Sequence, residues 1–119
     1  MQGHNLIDAI GGLDEIEFKQ LATFNRGSVG VYWAQTGSSP WERHPEDDEL
    51  LYVIEGRVTV EILTEADRIE VPIAEGSVFV VPRNHWHRHK LDGVVKEMYV
   101  TPGPSDTSFA EDPRIETDT

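Results

Sequence analysis

Two histidine-bearing clusters carry the residues best suited to chemistry in this chain: Glu42-Arg43-His44-Pro45-Glu46-Asp47-Asp48-Glu49 and His85-Trp86-His87-Arg88-His89. Brought together, they could offer imidazole nitrogens and carboxylate oxygens to one divalent metal ion, a donor set that suits first-row transition metals. The chain has no cysteine. Thiolate sites, disulfides and thiol nucleophiles are therefore excluded, and any metal must be held by nitrogen and oxygen.

Positioning the two clusters falls to strands. Ser28 to Gln35 is rich in β-branched and aromatic residues and stops at the turn formers Thr36-Gly37-Ser38-Ser39-Pro40. Leu50 to Ile54, Glu55-Gly56 and Val58 to Ile62 read as a hairpin with Val58, Val60 and Ile62 on a buried face. Arg68 to Ile73 and Ser77 to Val81 follow, the second ended by Pro82-Arg83-Asn84. His85 to Lys90 and Val94 to Val100 read as two further strands separated by Asp92-Gly93. Phe18 to Phe24 is a weaker strand, and Ile7 to Ile10 a short turn or helix before Gly11-Gly12. At least six short strands at close spacing argue for an all-β sandwich or barrel rather than βαβ units.

With 119 residues the chain has the size of one domain. Its composition, 38% hydrophobic and 27% charged, is that of an ordinary globular protein. A net charge of −12 argues against nucleic acid and anionic membrane surfaces as partners. No apolar run approaches the ~20 residues needed to span a bilayer. Met1-Gln2-Gly3-His4-Asn5 lacks the basic and apolar regions of a signal peptide, so a cytoplasmic location is expected.

The two clusters resemble the paired motifs of the cupin superfamily, as found in its small single-domain members. Glu49, the six residues Leu50 to Glu55, and Gly56 match the second half of the first motif, and His44 takes the place of the second His of its His-x-His. Gly76, Pro82 and His87 match the second motif, with Asn84 in a glycine position. The 19 residues from Arg57 to Glu75 fit the short spacing between the motifs. The resemblance covers about residues 28–101. It implies a double-stranded β-helix, or jelly-roll, barrel over 28–104. Residues 1–27 become an N-terminal helical or extended segment packing on the barrel or a partner, and 105–119 a mobile acidic tail or a strap across a neighbouring subunit.

By the same resemblance, His44, Glu49 and His87 form a two-histidine, one-carboxylate set suited to Fe(II), Mn(II), Ni(II) or Zn(II). Glu42 stands where the family has its first histidine, and Leu91 where it has an asparagine. Two positions before His44, Glu42 faces the same way on a strand; it is a fourth ligand, a partner orienting His44, or a base facing substrate. His85 and His89 share the face of His87 and could replace Glu42 or line the cavity. The competing reading makes His44 and His87 polar core residues, hydrogen-bonded to carboxylates in a metal-free barrel. Glu46 to Asp48 is read as solvated loop, and Asn84 as a turn position with positive φ. Among the aromatic residues, Trp33 and Tyr52 are placed nearest a pocket.

These residues suggest a small metal-dependent enzyme, a dioxygenase or an isomerase or lyase acting on a small oxygenated organic molecule. A non-catalytic module that binds or senses a small ligand is the alternative. The resemblance further implies a homodimer, with Leu6 to Ile10 covering a partner's sheet edge.

Overall fold

The computed structural model describes residues 1–115. Among them are a short helix, α1 (Leu6–Gly11), and nine strands: β1 (Lys19–Phe24), β2 (Gly27–Ser38), β3 (Trp41–Arg43), β4 (Glu49–Gly56), β5 (Val58–Leu63), β6 (Arg68–Ile73), β7 (Val78–Val81), β8 (His87–Thr101) and β9 (Asp106–Ser108). Every pairing between them is antiparallel. The helix starts at Asn5, whose side chain accepts a bond from the amide of Asp8 at 2.9 Å. It buries Ile10.

The expected all-β jelly-roll barrel is what the sheet forms, and β8 organises it. One edge of β8 pairs with β2 and then β3; the other pairs with β5 and then β4. His87, for example, lies between Glu42 of β3 and Ile62 of β5. The core packed beneath is aliphatic, with Leu51, Val53, Val58, Val60, Ile62, Ile73, Val81 and Val95 all buried.

Curvature of β8 closes the barrel around a hollow. His89 and Glu97 are eight positions apart, about 26 Å along a straight strand, yet their side chains meet at 3.1 Å. The strand therefore curls about its middle. Both neighbours slip register there: β2 between Ala34 and Thr36, opposite Val95 and Asp92, and β4 between Val53 and Glu55, opposite Glu97 and Lys96. Such irregularities bend a strand and deepen its twist.

Two expectations about strands are corrected. Asp92-Gly93 does not separate two strands, because it lies within one continuous β8 at the bend. The segments around Glu55-Gly56 do not form a hairpin either. β4 pairs with β7 and β8, whereas β5 pairs with β6 and β8, so the chain changes partners at Gly56. Gly56 has φ +83, and a Cβ there would sit 2.0 Å from the carbonyl oxygen of Val94. Only glycine allows that approach.

The segment read as a tail from Ser105 carries structure of its own as far as it is described. β9 adds to β3, Trp41 donates its indole N–H to the carbonyl of Glu111 at 3.1 Å, and Arg114 donates to the carbonyls of Thr64 and Asp67 at 2.8 and 2.9 Å. Residues 116–119 of that reading lie outside the described residues.

Candidate metal centre

Four side chains named from the two clusters converge at one point. Glu42 on β3 and His87 on β8 are direct cross-strand partners, so their side chains share a face. Glu49 opens β4, and His44 follows β3 in the connection between them. One donor atom from each of Glu42, His44, Glu49 and His87 lies within 4.8 Å of all the others. His44 Nε2 is 2.9 Å from Glu42 Oε1 and 3.4 Å from Glu49 Oε1. His87 Nε2 is 3.2 Å from Glu49 Oε1 and 3.8 Å from Glu42 Oε1.

The turn before β8 fixes this approach. Asn84 has φ +61, the left-handed conformation expected of it, and its amide donates to the carbonyl of His44 at 2.7 Å. That bond ties the second cluster to the first. Asp48, within the acidic run, accepts the amide of Arg83 at 2.8 Å.

His44, Glu49 and His87 are buried, while the Glu42 side chain is 43% exposed. Burial alone would lower the His44 imidazole, but contacts with Glu42 and Glu49 raise its pKa to about 9. Burial would likewise raise the Glu49 carboxyl, yet His44 and His87 hold it down at about 2. The donor set fits a divalent cation on a further count. Neither ring nitrogen of His44 has an aligned hydrogen-bond partner, although both are buried. A buried polar atom left unpaired costs about 1–3 kcal/mol, a cost that a cation held at Nε2 would offset. His87 meets the carbonyl of His85 through Nδ1 at 3.1 Å. That contact suits the tautomer in which Nε2 keeps its lone pair for a metal.

Glu42, Glu49 and His87 of the cluster line a cavity of about 580 Å³, which His44 does not, a volume within the range of small-molecule sites. Odd-numbered residues of β8, among them His87, His89, Leu91, Glu97 and Tyr99, line it together, as strand alternation requires. His85 does not reach it; its ring bonds to the carbonyl of Arg83 at 2.9 Å. His89 does line the cavity, but outside the four-residue cluster. Its Nε2 lies 3.1 and 3.2 Å from the two oxygens of Glu97, which is 1% exposed. Burial by itself would lower the His89 imidazole, and the charge of Glu97 raises it to about 9.

The aromatic walls differ from expectation. Trp33 and Tyr52 are absent from the lining, and the indole of Trp33 donates instead to the carbonyl of Leu13 at 2.8 Å. Phe18, Tyr32 and Tyr99 take the role, with Phe18 and Tyr32 ring centroids 4.7 Å apart. Burial, then the charge of Glu97, hold the Tyr32 phenol well above its usual pKa. Glu97 is the residue that sequence reasoning missed. Its sign was its odd position on β8, hidden once Asp92-Gly93 was taken as a break.

Among curated proteins, a germin-like protein of Arabidopsis thaliana, subfamily 2 member 2, is 31% identical over 86 residues, covering 71% of this chain and 39% of that protein. This chain spans between 32% and 58% of three such germin-like relatives. Among solved structures, protein NMB1881 from Neisseria meningitidis superposes with a TM-score of 0.71 at 20% identity, over 83% of this chain and 97% of that one. Hydroquinone 1,2-dioxygenase from Sphingomonas sp. TTNP3, with 4-hydroxybenzoate bound, gives 0.65 at 11% identity, over 83% and 74%. A second hydroquinone 1,2-dioxygenase, in complex with Cd2+ and 4-hydroxybenzonitrile, gives 0.68 at 18%, over 84% and 72%. At these identities the structural likenesses speak for the fold. The family model for the cupin domain matches residues 29–101, the stretch from β2 through the end of β8 that carries all four clustered donors, and the chain belongs to the cupin family.

Proposed function

We propose that this chain is a small metal-dependent enzyme, a dioxygenase or an isomerase or lyase, acting on a small oxygenated organic molecule bound in the barrel. The observation that carries the reading is the convergence of four nitrogen and oxygen donors within 4.8 Å, three of which, Glu42, Glu49 and His87, line a cavity of about 580 Å³. His44, Glu49 and His87 would hold the metal, being buried and fixed on β4, β8 and the β3–β4 connection. Fe(II), Mn(II), Ni(II) or Zn(II) would supply Lewis acidity toward a chelating diol, enediol, diketone or carboxylate and, as Fe(II), redox chemistry with dioxygen.

Glu42 is the more exposed carboxylate, and it lines the cavity. In this reading it accepts a proton from the ligand at a carboxylate oxygen, the pairing of Glu42 with His87 across β3 and β8 fixing where it stands. The apolar walls, Leu51 and Leu91 with the rings of Phe18, Tyr32 and Tyr99, keep water from the bound ligand. The two hydroquinone dioxygenases among the structural neighbours support testing the oxygenase branch first.

A homodimer belongs to the same proposal. Val78 and Val80 on β7, which among the described residues pairs only with β4, are 58% and 47% exposed, and a second copy could cover them. Light scattering tests this, and a monomer at micromolar concentration would refute it.

The enzyme reading is tested by elemental analysis of the purified protein, then oxygen uptake and product analysis after anaerobic loading with Fe(II). Dihydroxybenzenes, β-diketones and 1,2-diols are the substrates to offer. Stoichiometric metal is expected, together with turnover that folded His44→Ala and His87→Ala proteins lose. The reading fails if no transition metal is retained and none of the four ions raises the melting temperature. The second reading, a non-catalytic cupin that binds or senses a small ligand, is favoured by Glu42 standing in a histidine position. It would be upheld by ligand binding without turnover.

A further inference from the structure

We propose that His89, held by Glu97, is a second polar anchor in the cavity, and that the ligand is a flat ring bearing a metal-facing oxygen at one end and a hydroxyl for His89 at the other. This rests on the small-molecule reading above and adds to it a ligand shape and a positioning residue.

Three features support it. His89 follows His87 by two positions on the same face of β8, which sets their Cα atoms about 6.6 Å apart. The polar groups of the cavity thus come in two sets on one strand face, the metal-facing donors and the His89–Glu97 pair. The second feature is Glu97. A carboxylate 1% exposed is costly to bury, and here both its oxygens meet one ring nitrogen, His89 Nε2, at 3.1 and 3.2 Å. That grip orients the imidazole and leaves Nδ1 as the ring atom able to meet a ligand. A hydroxyl both donates and accepts, so it suits the ring with or without its second proton.

The third feature is the aromatic wall. Phe18 lies 4.7 Å from Tyr32 and 6.0 Å from Tyr99, and Tyr32 lies 6.3 Å from both Tyr99 and the His89 ring, centroid to centroid. These tilted and edge-on rings present π surfaces against which a planar ligand packs. A flexible aliphatic chain would gain less from them.

The experiment compares hydroquinone with phenol by calorimetric titration into the Zn(II)-loaded protein, where no oxidation intervenes. Phenol can satisfy only the metal end. Wild type is expected to bind hydroquinone at least ~10-fold more tightly than phenol, the ratio that one added hydrogen bond supplies. In a His89→Phe, Glu97→Gln double variant, which strands no buried charge, the ratio should fall below ~3-fold while phenol affinity stays within ~3-fold of wild type. His89→Gln, which keeps a polar side chain, should restore part of the preference. If the double variant does not fold, Glu97→Gln alone decides, since an ungripped His89 should also lose preference for hydroquinone. Equal affinities in wild type, or a preference that survives these changes, overturn the inference and leave the metal-centre reading standing. Failure of both probes to bind overturns it too, and metal content and thermal shift then report separately on the metal centre.

Discussion

A metal ion held by His44, Glu49 and His87 must stabilise the fold, by an amount that can be worked out. All three side chains are buried and come from separate parts of the chain, so the unfolded state offers no comparable site. At a free concentration 100 times the dissociation constant, binding to the native state adds about 2.7 kcal/mol. For a chain of this size each kcal/mol moves the melting temperature by about 4 °C, giving a rise of about 11 °C. His44→Ala removes a ligand whose ring nitrogens have no other aligned partner. Residues that merely orient a ligand are worth about 10–100-fold in affinity, so losing the ligand itself should cost at least ~100-fold. At the same metal concentration the stabilisation then drops to about 0.4 kcal/mol, or under about 2 °C. His85→Ala is the control, because that ring lies outside the cluster. Differential scanning calorimetry with and without metal gives the answer. A His44→Ala protein whose melting temperature still rises by the wild-type amount would refute the assignment.

Three further predictions concern the scaffold. Glu61, 2% exposed, bonds Arg88 Nε at 2.5 Å, and Arg88 in turn packs 4.4 Å over the ring of Trp41. Glu61→Ala strands that arginine and should cost about 3 kcal/mol in urea unfolding, the low end for a broken buried pair because Arg88 is partly exposed; a loss under ~1 kcal/mol would contradict this. Gly56→Ala meets both a φ of +83 and the carbonyl of Val94, so it should lower stability by more than ~2 kcal/mol, the strain of a left-handed alanine alone being about 1–2 kcal/mol. A Gly56→Ala protein as stable as wild type would disprove the close approach. The hydrogen bond from Arg114 holds Asp112 down at about 2, below its ordinary 3.8. Its contribution is thus present above about 3.8 and lost as pH falls through about 2. Stability curves of wild type and Asp112→Asn should separate above that window and converge below it, and a constant gap from about pH 2 to 5 would rule this out.

The two halves of the site were legible in the sequence because each is local. Glu49 to Gly56 and Gly76 to His87 keep their spacing whatever the rest of the chain does, and Asn84 marks its turn by residue type alone. Strand positions were legible for the same reason: Arg68 to Ile73 was read with its observed bounds from alternation and flanking turns. Pairing was not. Alternation tells which face a residue takes but not which strand lies beside it, so β4 and β5 read as a hairpin although each pairs elsewhere.

Only the tertiary structure decided what depends on curvature. Asp92-Gly93 looks the same in sequence whether it ends a strand or bends one. The register slips of β2 and β4 made it a bend, and the bend brings Glu97 back to His89. Glu42 shows both sides of the matter. Its type and its place two residues before His44 are sequence facts, while its 43% exposure and its pairing with His87 follow from where β3 docks on β8. Sequence determined the donors because ligand chemistry is a property of residue type. The cavity and its second polar anchor came from long-range strand pairing, which no local pattern encodes.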